Sequence, residues 1–195
     1  MTSQDGARLA DAVFAATIAL HGRMRTSIGP TLIAAQAMFD ALTAGKKMLV
    51  FGNGGSAADA QHLSAELVGR FQKERAALPA IALTTDTSIL TGIANDYSYK
   101  QVFARQVEAL GQPGDVAFGI STSGESANVV AALQTARAKG LKTIALTGRD
   151  GGSVGGAADI HVNVPDQSTA RVQEVHRTLL HVICDIVERA SSAGG

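Results

Sequence analysis

FGNGGSAADAQHLSAELVGRF, residues 51–71, is the stretch on which the reading of this chain turns. It leaves an apolar run, Met48, Leu49, Val50 and Phe51, that has the character of a buried strand. It then passes through Gly52, Asn53, Gly54 and Gly55, and Ser56 stands where a helix N-cap belongs. A glycine turn between a parallel strand and a helix lets backbone N–H groups approach an anion closely, and the helix dipole favours negative charge there. Further along the predicted helix, His62 and Glu66 are four residues apart and share one face. The stretch offers an anion cradle at its mouth and an acid–base or metal-binding pair about two turns in.

On either side of it the same alternation recurs. Apolar runs at Lys47–Phe51, Ala80–Leu83, Val116–Ile120, Thr143–Leu146 and Ile160–Val164 predict strands. Helical patterns lie near Ser56–Phe71, Tyr99–Leu110, Glu125–Ala138 and Thr169–Ala190. Near-continuous apolar strands alternating with helices predict an α/β fold, a doubly wound five-stranded parallel sheet covered on both faces. Residues 1–44 precede it as two helices punctuated by Gly29 and Pro30, with Leu9, Val13, Phe14 and Ile18 at three-to-four spacing. So much apolar surface ahead of the first strand predicts a subunit contact. Residues 45–190 make up the α/β core, and the tail Ser191–Gly195 is expected to fray.

Several strands end in small polar turns, GNGGS at 52–56, STSGES at 121–126 and TGRDGG at 147–152. In open parallel sheets ligands bind beyond the carboxyl ends of the strands, which places the site at this edge. Ser121, Thr122, Ser123 and Ser126 at a helix start can hold phosphate oxygens without a lysine. The GxxxxGK[ST] spacing is absent, and GNGGSA lacks the third glycine of a dinucleotide fingerprint. Each turn taken singly reads more readily as a capped βα turn than as a ligand site. Two of them at one sheet edge favour a phosphorylated small molecule.

Composition narrows the class. In 195 residues, 46% are apolar and the formal net charge is +0, so no bulk field argues for nucleic acid or a membrane surface. The single cysteine, Cys184, excludes an internal disulfide and reads as a core thiol. No basic-then-apolar leader opens the chain and no apolar run reaches the roughly 20 residues of a membrane span, so a cytoplasmic protein is expected.

GNGGSAADAQH, TTDTSILTGIANDYSY, ISTSGESANV, LTGRDGG and TARVQEVHRTLLHVICDIVE, in that order, resemble the phosphoheptose isomerases of the sugar-isomerase (SIS) group over about Gly45–Glu188. The resemblance implies one flavodoxin-like SIS domain over 1–195 and a homotetramer with sites at subunit interfaces. It also implies a zinc ion (Zn2+) held by His62, Glu66, Gln173 and His181. Two imidazoles, a carboxylate and an amide oxygen suit that ion. Gln173 and His181, however, are about 12 Å apart along a helix axis. The activity implied is the isomerisation of sedoheptulose 7-phosphate to D-glycero-D-manno-heptose 7-phosphate, with Glu66 as base and His181 as partner acid/base. Substrate contacts are expected from Asn53, Gly54, Ser56, Ser121, Thr122, Ser123, Ser126 and Gln173, and also from Asn95, Asp96 and Arg70, the last across a subunit boundary. Glu125 replaces the asparagine usual in STSGNS and should point away from a phosphate. The alternatives are a non-catalytic SIS adaptor binding the replication initiator, a sugar-phosphate-sensing regulator, and an isomerase of another phosphosugar. The regulator would carry a DNA-reading module, and no basic cluster is present.

Overall fold

A strand buried on both faces must be apolar throughout, and β1 (Met48–Gly52), β3 (Val116–Ser121) and all but the first residue of β4 (Lys142–Gly148) are buried. In the computed structural model, which describes residues 2–193, these strands join β2 (Ala80–Ala82) and β5 (Ile160–Val164) in one parallel sheet of order β2-β1-β3-β4-β5. Among the described residues the helices are α1 (Ser3–Thr26), α2 (Gly29–Thr43), α3 (Gly55–Val68), α4 (Thr87–Asp96), α5 (Ala104–Leu110), α6 (Ala127–Ala138), α7 (Gly152–Gly156) and α8 (Thr169–Ala193).

Successive strand residues point to opposite faces, which gives the sheet two cores. Met48 and Val50 pack with Phe118, Ile144 and the apolar faces of α2, α3 and α8. Leu49 and Phe51 pack with Ala117, Ala145 and side chains of α5 and α6. Strand order reverses about β1, which has β2 on one side and β3 on the other. The turns leaving β1 and β3 therefore open side by side, at the switch point where such sheets bind ligands.

The predicted strands are all present with small shifts of their ends. Three helical details differ. Gly54, with φ 56°, is the N-cap of α3 and Gly55 its first residue, so Ser56 is not the cap but a buried residue inside the first turn. The helix expected over Tyr99–Leu110 is a 3₁₀ turn, Tyr99–Gln101, followed by α5. Helices α4 and α7 are not among the expected helices. Helix α4 starts at an N-cap, Asp86, that accepts from Ile89 N at 2.9 Å, while α7 carries a weak local signal, three glycines in five residues, GSVGG. Tertiary contacts make α7: the ring of His161 occupies the space where a Cβ at Gly155 would stand, and Glu125 accepts from Ser153 N at 3.1 Å.

The front of α1 touches α8 through Thr17 and the Val13 carbonyl but leaves its large apolar side chains bare. Leu9, Phe14 and Ile18 are 59%, 68% and 71% exposed, and α1 is anchored by Leu20 and Met24 instead. Helix α8 runs on through Ala193, so the stretch expected to fray is helical as far as it is described. Met1, Gly194 and Gly195 lie outside the described residues.

Candidate functional site

The turn after β1 is held by its asparagine. Asn53 Nδ2 donates to Asn128 Oδ1 and Asn128 Nδ2 returns a bond to Asn53 Oδ1, both at 2.9 Å, while Tyr99 OH donates to the same oxygen at 3.0 Å. Asn128 is buried, near the start of α6. This amide pair joins the turn after β1 to the helix that follows β3. Neither Asn128 nor Tyr99 stood out in the sequence, because an asparagine inside a helix start and a tyrosine after a loop have many ordinary uses.

The turn after β3 gathers hydroxyls. Ser121 Oγ lies 2.9 Å from Ser126 Oγ and 3.3 Å from Ser123 Oγ. Ser126 is the N-cap of α6, yet its hydroxyl makes no bond to the helix it caps. The first N–H groups of α6 are thus left for another acceptor, beside three hydroxyls that can rotate towards it. Thr122 sits half-buried in the same turn. Gly124 permits the geometry: its φ is 72°, and a Cβ there would stand 2.6 Å from the Gly151 carbonyl. Glu125 turns away from the hydroxyls, as expected of a carboxylate beside an anion site. Its two oxygens take the N–H and Oγ of Ser153 at 3.1 and 2.8 Å.

Helices α3 and α8 lie against each other in matched register. A Cβ at Gly55 would overlap Gln173 Nε2, so the Gln173 amide rests on the start of α3. Next, Arg177 donates from Nε and Nη2 to Asp59 Oδ1 at 3.0 and 2.7 Å. Then His62 Nε2 meets His181 Nε2 at 2.7 Å, and Glu66 Oε1 lies 3.4 Å from His62 Nε2. His62, Glu66 and His181 bring one ligand atom each within 4.8 Å of one another. Gln173 is one rung away, with the Asp59–Arg177 pair between it and the histidines. Asp59 and Arg177 share the helix stripes of His62 and of Gln173 and His181, a spacing signal that was available in the sequence.

The three donors suit a divalent cation. Tetrahedral zinc with ligands at ~2.0–2.1 Å separates neighbouring donors by about 3.3 Å. The His62–Glu66 separation matches that, and the imidazoles need open only slightly. Burial, then the positive charge of Arg177, lowers the His62 pKa and favours the neutral imidazole that ligates metals. Gly55→Ala tests the Gln173 placement. The added methyl meets only the far end of a flexible side chain, so the fold should persist while Gln173 is displaced. We expect turnover to fall on the order of 10²-fold, as for misplaced site groups generally, with an unchanged melting curve.

The remaining expected residues lie further out. Asn95 and Asp96 occupy the exposed last turn of α4, where Asn95 Nδ2 donates to Asp96 Oδ1 at 2.8 Å. Arg70 falls beyond the end of α3 in an exposed loop, with Glu74 at 3.7 Å. That loop is fixed from below by a group the sequence did not reveal. Glu188, 1% exposed, accepts the N–H groups of Phe71, Gln72 and Lys73, each at 2.8 Å, and Phe71 lies against the His181 ring with centroids 5.5 Å apart. His176 is a fully buried pin, Nε2 donating to the Thr147 carbonyl at 2.9 Å. Cys184 is buried, its thiol pushed up to about 12 by burial, as a core thiol should be.

Comparison with known proteins points to one family. The SIS domain family matches residues 14–148. The phosphoheptose isomerase of Geotalea daltonii is 58% identical over 174 residues, 87% of this chain and 91% of that protein. That of Roseiflexus sp. is 55% identical over 175 residues, 89% of each. The solved phosphoheptose isomerase from Neisseria gonorrhoeae superposes with a TM-score of 0.89 at 47% identity, covering 96% of this chain and 100% of that one. The enzyme from Francisella tularensis gives 0.90 at 39% identity, covering 97% and 100%. With that likeness running through nearly the whole length, and with one chain carrying both the serine turn and the histidine–glutamate cluster, the chain belongs to the phosphoheptose isomerases of the SIS domain family.

Proposed function

We propose that this site isomerises sedoheptulose 7-phosphate to D-glycero-D-manno-heptose 7-phosphate, the first step of ADP/GDP-heptose biosynthesis. The observation that carries the reading is the meeting of His62, Glu66 and His181 at one point. Gly55 and His62 are about 10 Å apart along α3, roughly the reach of an extended seven-carbon chain. A phosphate held by Ser121, Ser123, Ser126 and the start of α6, with Asn53, Gly54, Ser56 and Thr122 nearby, would put the other end of the sugar at the histidines.

Aldose–ketose exchange removes a proton from the carbon next to a carbonyl and returns one to its neighbour. Glu66 takes that proton and gives it back, and His181 serves the two oxygens. A carboxylate has two oxygens, so Glu66 can face a cation with one and the substrate with the other. His62, Glu66, Gln173 and His181 would hold zinc, two imidazoles, a carboxylate and an amide oxygen suiting that ion. When bound, zinc polarises the substrate carbonyl and offsets developing negative charge. Asn95 and Asp96 serve sugar hydroxyls, and Arg70 reaches a neighbouring subunit's site.

The bare apolar stripe of α1 supports assembly of the single domain, residues 1–195, into a homotetramer. No described helix is long and apolar enough to cross a membrane. We place the protein in the cytoplasm, acting without nucleic acid or membrane partners. The decisive experiment is isomerisation of sedoheptulose 7-phosphate before and after chelation. Turnover lost with chelator and restored by zinc is the expected result. Absence of turnover in metal-replete protein would favour the non-catalytic adaptor binding the replication initiator.

A further inference from the structure

Along the α3–α8 seam, between the Gly55–Gln173 contact and the histidines, one charged rung faces a cleft. Asp59 is 2% exposed, a carboxylate that needs a permanent partner. Arg177 supplies it with one edge of its guanidinium, Nε and Nη2, while the side chain remains 45% exposed and Nη1 makes no hydrogen bond to the described residues. The cleft beside it, ≈ 440 Å³, is lined by Gly55, Asp59, Gln173, Glu174 and Arg177 among others. Arg177 is the one cation in that lining. The carboxylate of Glu174 is turned to Arg171 and to Thr17 Oγ1, so it does not cancel the arginine's charge.

A guanidinium only donates and does not lose its proton, so Arg177 cannot serve as the base. Its fixed edge suits oxygen acceptors. We propose that Arg177, aimed by Asp59, is a specificity-determining residue that donates from its free edge to hydroxyl oxygens in the middle of the sugar chain. The inference rests on the isomerase reading above, which lays that chain along α3 from the serine turn to the histidines. Arg177 then distinguishes a phosphorylated polyhydroxyl chain from phosphate alone.

Titration calorimetry with sedoheptulose 7-phosphate and, separately, inorganic phosphate tests this on wild type, Arg177→Met and Arg177→Lys. Loss of a charged donor should weaken the sugar phosphate about 10- to 100-fold in Arg177→Met, while inorganic phosphate stays within about twofold. Arg177→Lys retains a counter-charge for Asp59, so it remains folded should the methionine variant not, and it should show a smaller loss confined to the sugar phosphate. Unchanged sugar-phosphate affinity in the folded variants would overturn the proposal. So would an equal loss for both ligands, the mark of a purely structural ion pair. Wild type that binds the sugar phosphate without turning it over would sink the isomerase reading, yet the Arg177 comparison would still be decided by binding.

Discussion

Glu66→Gln should abolish isomerisation while leaving the fold and the affinity for inorganic phosphate intact. The amide keeps the shape and one acceptor oxygen but cannot take a proton. Removing a positioned base costs on the order of 10²–10⁴-fold. Circular dichroism and phosphate titration should match wild type, because the serine turn is built on other elements. The carboxamide is also a weaker metal ligand, so metal content needs to be measured beside turnover. A variant that holds its metal and turns over near the wild-type rate would remove Glu66 as the base.

Glu188→Ala should lower stability by about 3–5 kcal/mol, the usual consequence of breaking a buried, fully bonded charge. Three backbone donors lose their acceptor, and Arg75, 3.5 Å away and itself buried, loses its counter-charge. Urea denaturation gives the magnitude. Burial alone would raise the Glu188 pKa, but the N–H groups of Gln72, Lys73 and Phe71 and the charge of Arg75 outweigh it and hold the carboxylate below its usual range. A depressed folded pKa adds stability above the unfolded value of about 4.3, and that stability fades as pH falls through the folded value. Glu188→Gln should therefore show a shallower loss of stability on acidification than wild type. Equal slopes would mean that the carboxylate is not the titrating group.

Much of this was legible in the chain. The sheet could be read because its central strands are buried on both faces and so are apolar without interruption, and their polar ends picked out the turns that leave β1 and β3. His62 and Glu66 could be paired from helical spacing alone. The meeting with His181 could not, since only the packing of α3 on α8 brings residues 119 apart into contact. Short-range patterns also missed α7, which exists because Glu125 and His161 hold a glycine-rich segment in place. The Glu188 clamp was hidden for a similar reason: its acceptors are backbone amides, which carry no residue signature. Ser56 as N-cap failed because the glycine before the helix already closes the turn.

The separation of His62 from His181 also bears on how the protein is made. A ribosome delivers the serine turn and the first histidine well before it delivers α8. A growing chain that already holds its serine turn thus lacks the partner of His62 until α8 emerges and folds back on α3. The cluster of His62, Glu66 and His181 therefore closes only after all five strands have left the ribosome.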